Sequence, residues 1–261
     1  MGAAFLLNDL SGLASAVAPT SNTATGLGAE RLRDRQPRRR VRLLGDPAVL
    51  CLDFGTPRDM DCFALVSTTL GAGSAAQLDL YGAGGDPAGP GDLLSWRLAG
   101  ETGPAEMGQV VRVLEADMPV RMVRWTLEAA GGEVDVGLAP CGLLLRTRHQ
   151  FDWSQQRGRQ DYSAAQRNPD TGARFPVGGP SARAERVSFP FLTAAEAEAF
   201  DAWDRAGGGH GEALWVPETS WAPERLARFC IWGELREPGF AAASRRTHRF
   251  WSRPFTVLEA L

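Results

Sequence analysis

Residues 48–81 read AVLCLDFGTPRDMDCFALVSTTLGAGSAAQLDLY, three short apolar runs cut by turn residues at strand-like intervals. Leu78 and Leu80 alternate with Asp79 and Tyr81, the two-residue period of a strand. Gly55-Thr56-Pro57 and Gly71-Ala72-Gly73 supply the residue types that turns require, so three separate strands are expected.

The same pattern continues on both sides. Strand candidates run Val41–Leu44, Val49–Asp53, Cys62–Val66, Leu78–Tyr81, Leu93–Leu98, Val110–Leu114, Met122–Leu127, Val134–Val136 and Leu143–Arg146. Eight or nine short strands with glycine-rich connections make the fold mainly β and point to a β-sandwich. Residues 82–91 form a loop; no Lys-Ser/Thr follows and no helix opens after it, so it is not a phosphate cradle.

Composition shifts after Arg148. Residues 149–180 are polar, arginine-bearing and almost free of aliphatics. A segment of this length is expected to be ordered by function or by a partner, here a neighbouring subunit, with Phe151, Trp153 and Tyr162 as interface candidates. Beyond it, Arg186–Leu192 reads as a strand, and Thr193-Ala194-Ala195-Glu196 is a capping box that opens the one clear helix, about 193–206. Gly207-Gly208-Gly209 ends it, and Phe200 and Trp203 are expected to pack on the sheet. Strands return at Ala213–Val216, Phe229–Gly233 and Thr247–Leu258, the last carrying Trp251 as a further interface candidate. The expected organisation is a β-sandwich with a basic N-terminal segment (1–148), an extended linker or interface excursion (149–183) and a small α+β domain (184–261).

Charge and reactive residues narrow the function. With 261 residues, 44% hydrophobic, 23% charged and net charge −3, the composition is ordinary for a globular chain and lends no support to a general nucleic-acid role. Every one of the 28 basic residues is arginine, which removes lysine-dependent phosphate binding, Schiff-base chemistry and a lysine general base. Cys51, Cys62, Cys141 and Cys230 form no close pair, and His149, His210 and His248 are equally scattered, so neither a metal site nor a cofactor is expected. Cys51 and Cys62 fall on neighbouring expected strands, where a disulfide is open.

No catalytic residue is assigned. There is no GxSxG elbow, Ser154 with His149 and Asp152 sits in polar sequence, and His210-Gly211-Glu212 follows the helix in a turn. Asp53, Asp59 and Asp61 read as turn caps and arginine partners rather than as an acid/base pair. The amino end lacks a basic region and Asp9 interrupts its apolar run, so it is not read as a signal peptide. No window reaches about 18 consecutive apolar residues; a soluble chain made in the cytoplasm is expected. The run from Arg31 to Arg40 is expected to be solvated, pairing with Glu30, Asp34 or another subunit, with polyanion contact as the alternative. Arg38, Arg39 and Arg40 are its interface candidates.

Leu50–Gly55, Met60–Val66 and Arg121–Leu127, preceded by Ala29–Asp34, resemble the strands of the discoidin-like, galactose-binding-type jelly roll found in bacteriophage tail proteins. Val136–Leu138, Phe151–Ser154, Asp161–Ser163, Phe191–Phe200, Leu214–Pro217 and Phe250–Thr256 are similar, in the same order, to the later segments of tail-tip and baseplate proteins of long-tailed phages (siphophages). The resemblance spans about residues 25–261. It implies a structural virion protein that assembles with copies of itself as a trimeric or hexameric ring. Its partners would be tail tube, hub or baseplate proteins, and it would link the tube to the adsorption apparatus after synthesis in the host cytoplasm. Arg31-Leu32 stands where those domains have Asn-Leu, and Phe54 follows Asp53 where Leu is usual, so no calcium or sugar ligand carries over. A carbohydrate- or receptor-binding module, with a host surface glycan as ligand, is the rival reading. Trp96, Trp153, Trp215, Trp221, Trp232 and Trp251 supply stacking faces, although most are expected to be core or interface anchors.

Overall fold

The computed structural model describes residues 2–17, 22–24, 26–34, 37–71, 73–86, 89–99, 108–129, 131–152, 155–162, 164–167, 174–177, 179–207, 211–236 and 251–260. Trp153, Ser154, Ser163, Gly208, Gly209, His210 and the expected strand start at 247–250 lie outside the described residues. The chain divides into two compact units, Met1–Arg146 with Val216–Cys230, and Thr147–Trp215 with Ile231–Leu261. Its strands are β1 (Ala4–Leu6), β2 (Ser15–Val17), β3 (Asn22–Thr23), β4 (Val41–Leu44), β5 (Ala48–Leu65), β6 (Ala75–Tyr81), β7 (Leu94–Ala99), β8 (Val110–Glu128), β9 (Glu133–Val136), β10 (Cys141–Gly142) and β11 (Leu145–Arg146). There follow β12 (Gln156–Asp161), β13 (Ala164–Arg167), β14 (Arg174–Val177), β15 (Ser181–Leu192), helix α1 (Ala194–Gly207), β16 (Glu212–Val216), helix α2 (Pro223–Phe229), β17 (Ile231–Arg236) and β18 (Trp251–Glu259).

The first unit is the mainly β, jelly-roll-like sandwich. One sheet runs β10-β5-β8-β6-β7 with β2 also on β5, and the other runs β3-β4-β9. Alternation decides which side chains meet between them: Val41, Leu43, Val134 and Val136 from the small sheet share one core with Leu50, Leu52, Leu78, Leu80, Val123 and Trp125 from the large one. Among the described residues the first unit also holds the apolar amino end, where Ala3, Ala4, Phe5 and Leu6 are fully buried.

The three strands expected between Ala48 and Tyr81 are two. Pairing of β5 with β8 is continuous from Ala48 opposite Leu127 to Leu65 opposite Val110, but the register shifts twice. Residues 54–57 of β5 bulge opposite Arg121, and residues 114–117 of β8 bulge opposite Asp61. Gly55-Thr56-Pro57 is therefore a bulge and not a strand end. Gly55 takes φ +71°, a left-handed conformation that glycine adopts without a Cβ penalty, and its N–H donates to Asp53 Oδ1 at 2.8 Å. Likewise Val110–Leu114 and Met122–Leu127 are two halves of β8. A Cys51–Cys62 disulfide is excluded, because the two residues lie eleven positions apart on one strand and all four cysteines are free.

Helix α2 has no counterpart among the expected elements. Its N-cap residue Ala222 makes no side-chain cap bond, so the capping signature that marks α1 is missing; Pro223 at its first turn is the remaining signal. Leu226 and Ala227 are buried, and the buried Gln109 side chain holds the helix C-terminus by donating from Nε2 to Cys230 O (2.9 Å) and to Ala227 O.

In the second unit the strand order is β16-β17-β18-β15-β12. The capping box of α1 is formed on both sides: Glu196 Oε2 accepts from Thr193 N (2.6 Å), and Thr193 Oγ1 accepts from Glu196 N (3.3 Å). Phe200 packs on Phe255 at 4.7 Å between ring centroids, and Phe255, Phe189, Trp215 and Phe151 continue as a chain of edge contacts. Trp203 lies against the backbone at Gly211, where a Cβ would collide with the indole.

Candidate functional site

The polar stretch 149–180 is largely a β-ribbon. β12 opposes β15 from Gln156 against Arg186 to Asp161 against Ser181, Tyr162 N donates to Pro180 O at 3.1 Å, and β13 opposes β14 from Ala164 against Val177 to Arg167 against Arg174. β18 supports β15 only from Leu192 back to Ala184. Past Ala184, β12 and β15 stay paired as far as Asp161 opposite Ser181 without a third strand among the described residues, and β13 and β14 pair with each other as a separate two-stranded sheet. All six residues of β12 are exposed, so neither face of this strand is covered. A two-stranded ribbon with open edges is marginal by itself and invites a partner.

Its root is held firmly. Glu185 is buried and takes Arg157 (Nε to Oε2, 3.1 Å) and the Gln155 side chain. Arg183 donates to Glu259 from its backbone N (2.8 Å) and from Nε (2.7 Å). Further out the cross-strand pairs include two of like charge, Arg159 opposite Arg183 and Arg167 opposite Arg174.

The interface candidates are dispersed. Tyr162 lies on the arm and is 44% exposed, while Trp251, opposite Leu192 at the start of β18, is 41% exposed. Phe151 is half-buried against Phe189 (6.2 Å) and Trp215 (5.6 Å), inside the aromatic packing of its unit. Arg38, Arg39 and Arg40 are exposed in the first unit, just ahead of β4. The next arginine, Arg42, is committed to Asp135 through two bonds, 2.7 and 2.9 Å. Those hydrogen bonds hold the Asp135 carboxyl below the ordinary carboxylate range and raise the Arg42 guanidinium.

Most of the tryptophan faces are used internally. Trp125, Trp215 and Trp232 are fully buried. Trp221 is half-buried with the Arg225 guanidinium 3.9 Å over its ring. Trp96, on the edge strand β7, is half-buried beside Arg112, whose guanidinium carbon stands 5.3 Å from the ring centre and whose buried Nε has no hydrogen-bond partner among the described residues.

The carboxylates divide by environment. Asp53 caps the bulge at Gly55 and lies 3.5 Å from Arg121, whereas Asp59 is exposed. Asp61 is buried and binds Leu144 N (2.8 Å) and Arg146 (2.8 and 3.1 Å). Asp79, fully buried, accepts from Arg124 (2.9 Å), Gln77 (3.1 Å) and Ser95. These are satisfied structural contacts, and among the described residues no group of three His, Cys, Asp or Glu is placed to hold a metal ion. Burial pushes the Cys62 and Cys141 thiols well up and the Cys51 thiol to about 11, which leaves them protonated and inert at neutral pH. No helix among the described residues is long and apolar enough to cross a membrane.

β12 escaped sequence reading because a strand exposed on both faces has no apolar period; the cue that remained was the unusual length of the polar stretch. No protein-family model matches the chain, and no curated protein matches it. Among solved structures it is similar to chitosan-binding module 1 of a chitosanase/glucanase from Paenibacillus sp. IK-5, with 14% identity and TM-score 0.41 over 51% of this chain and 98% of the module. It is similar to the lectin domain of Lectinolysin complexed with Lewis B antigen, with 14% identity and TM-score 0.40 over 51% and 95%. A third similar structure is CpGH89CBM32-5 of Clostridium perfringens in complex with GalNAc-beta-1,3-galactose, with 14% identity and TM-score 0.40 over 52% and 99%. All three bear sugar-binding descriptions, and none is described as a tail or virion component.

Proposed function

We propose that this chain is a non-catalytic structural protein that assembles with copies of itself into a closed ring, in the manner of the phage tail-tip and baseplate proteins its sequence resembles. The observation that carries the reading is the arm: a ribbon that outruns its own sheet, is exposed on both faces of β12 and has open edges among the described residues. A head-to-tail contact made by such an arm closes into a ring when the rotation per subunit divides a full turn, and that closure sets the copy number. The sandwich then serves as a rigid block, and tail tube, hub or baseplate proteins would stack on the ring. Sedimentation velocity and negative-stain imaging test this. The full chain should form rings, and a variant with residues 162–179 replaced by a two-residue turn should be a folded monomer. A full chain that stays monomeric up to its solubility limit, or a shortened one that still forms rings, refutes the proposal.

A second reading is favoured by one specific feature, the part-exposed Trp96 ring on the edge strand β7. An aromatic face open to solvent can stack on a sugar ring, so on this reading the sandwich is a glycan-binding module. Titration of the chain with a glycan panel, followed by tryptophan fluorescence, should show saturable binding that Trp96→Ala abolishes. The absence of binding across the panel removes this reading.

A further inference from the structure

Three arginines of the first unit are committed to carboxylates, Arg42 to Asp135, Arg124 to Asp79 and Arg146 to Asp61. Arg225 on α2 is held differently. Its guanidinium carbon stands 3.9 Å from the centre of the Trp221 ring and 6.0 Å from that of Phe229, and among the described residues no carboxylate pairs with it. The two rings meet edge to face at 5.4 Å, and Arg228 brings a second guanidinium carbon to 5.7 Å from the same Phe229 ring. Positions 221, 225, 228 and 229 fall on one face by the helical period, and both arginines are exposed. The opposite side is fixed: Leu226 and Ala227 are buried, and Gln109 Nε2 donates to Cys230 O at 2.9 Å.

Stacking covers the flat side of the Arg225 guanidinium and leaves its edge of N–H donors open to a ligand, with much of the side-chain ordering already done. Two guanidiniums around one ring repel each other, and carboxylates set against them relieve the repulsion. We infer that this face of α2 binds an acidic peptide segment of a protein partner, Arg225 and Arg228 each taking a carboxylate. The spacing suits that ligand. Residues three apart on a helix lie about 5–6 Å from each other, and alternate side chains of an extended peptide recur at about 6.5–7 Å on one side. A sugar acid is less suited, because the guanidinium occupies a Trp221 face on which a pyranose would stack. Nucleic acid is disfavoured by the net charge of −3 and by exposed Glu224 beside the arginines. The inference goes beyond the assembly reading and holds for a monomer or a ring.

Fluorescence anisotropy of a labelled hexaglutamate peptide with the full chain, at about 0.05 M salt, tests it. Saturable binding is expected, with none for hexaglutamine, and Arg225→Gln and Arg228→Gln should each weaken it roughly tenfold. Arg225→Lys keeps the charge but loses the planar fork and its stacking, so it should also weaken binding severalfold, and Trp221→Leu should act in the same direction. Both arginines are exposed, and an unchanged melting curve of the two glutamine variants confirms their fold. Absence of saturable hexaglutamate binding, or binding that is the same in Arg225→Gln and Arg228→Gln as in the native chain, overturns the inference. Tighter binding of an oligonucleotide of equal charge, lost in the same variants, assigns the face to a polyanion and also overturns it.

Discussion

Asp61 and Asp59 are near neighbours of the same type, and the structure gives them different fates. Asp61 is 3% exposed; one carboxylate oxygen accepts from Leu144 N at 2.8 Å and the other takes Arg146 Nη2 at 2.8 Å and Nε at 3.1 Å. Asp61→Ala leaves a buried N–H without an acceptor, which costs about 1–3 kcal/mol. It also removes the counter-ion of Arg146. Loss of one partner of a buried pair costs roughly 3–5 kcal/mol, but the Arg146 side chain is 36% exposed and water recovers part of that. The two effects overlap, and a net loss of about 2–4 kcal/mol is expected, equivalent to roughly 6–12 °C in Tm for a chain of this size. Asp59→Ala should stay within about 0.5 kcal/mol of the native chain. Urea unfolding followed by the fluorescence of buried tryptophans measures both, and hydrogen exchange of residues 141–146 locates the effect. Asp61→Ala/Arg146→Met should lose less than the sum of its parts, because the unpaired guanidinium is gone. If Asp61→Ala matches Asp59→Ala within error, the pinning argument is wrong.

Glu196→Ala removes the acceptor for Thr193 N and Oγ1 and for Arg148 N, so α1 should lose about 1–2 kcal/mol and its first-turn amides should exchange faster; unchanged exchange there would count against the capping box as a stabilising element. The Arg42–Asp135 pair predicts a pH signature. Because the folded Asp135 carboxyl titrates below its unfolded value of about 3.9, its contribution is fully present above that value and is lost as pH falls through the folded pKa. The stability difference between the native chain and Asp135→Asn should therefore be flat from neutral pH to about 5 and shrink at lower pH; a difference that grows on acidification would contradict the assignment.

How much was legible follows from how locally each feature is encoded. Leu78 and Leu80 against Asp79 announced a strand, and β6 spans it, with the leucines in the core and Asp79 on the opposite face. Thr193 and Glu196 announced the start of α1, since a capping box is complete within four residues. Gly55-Thr56-Pro57 misled because turn residues and bulge residues are chemically the same; only the partner strand β8, more than sixty positions away, decides between them. Helix α2 is held by Gln109 from far along the chain and has little local signature.

By itself the sequence determined the mainly β class, the single capped helix, the absence of lysine chemistry and the polar character of residues 149–180, all of which depend on residue type and short-range period. The tertiary structure decided that two pairs of expected strands are β5 and β8, that Asp61 is pinned while Asp59 is exposed, and that a stretch almost free of aliphatics supplies β12, an edge strand paired to β15. These depend on register and burial, which bring together residues far apart in the chain, and no local pattern of residue types encodes them.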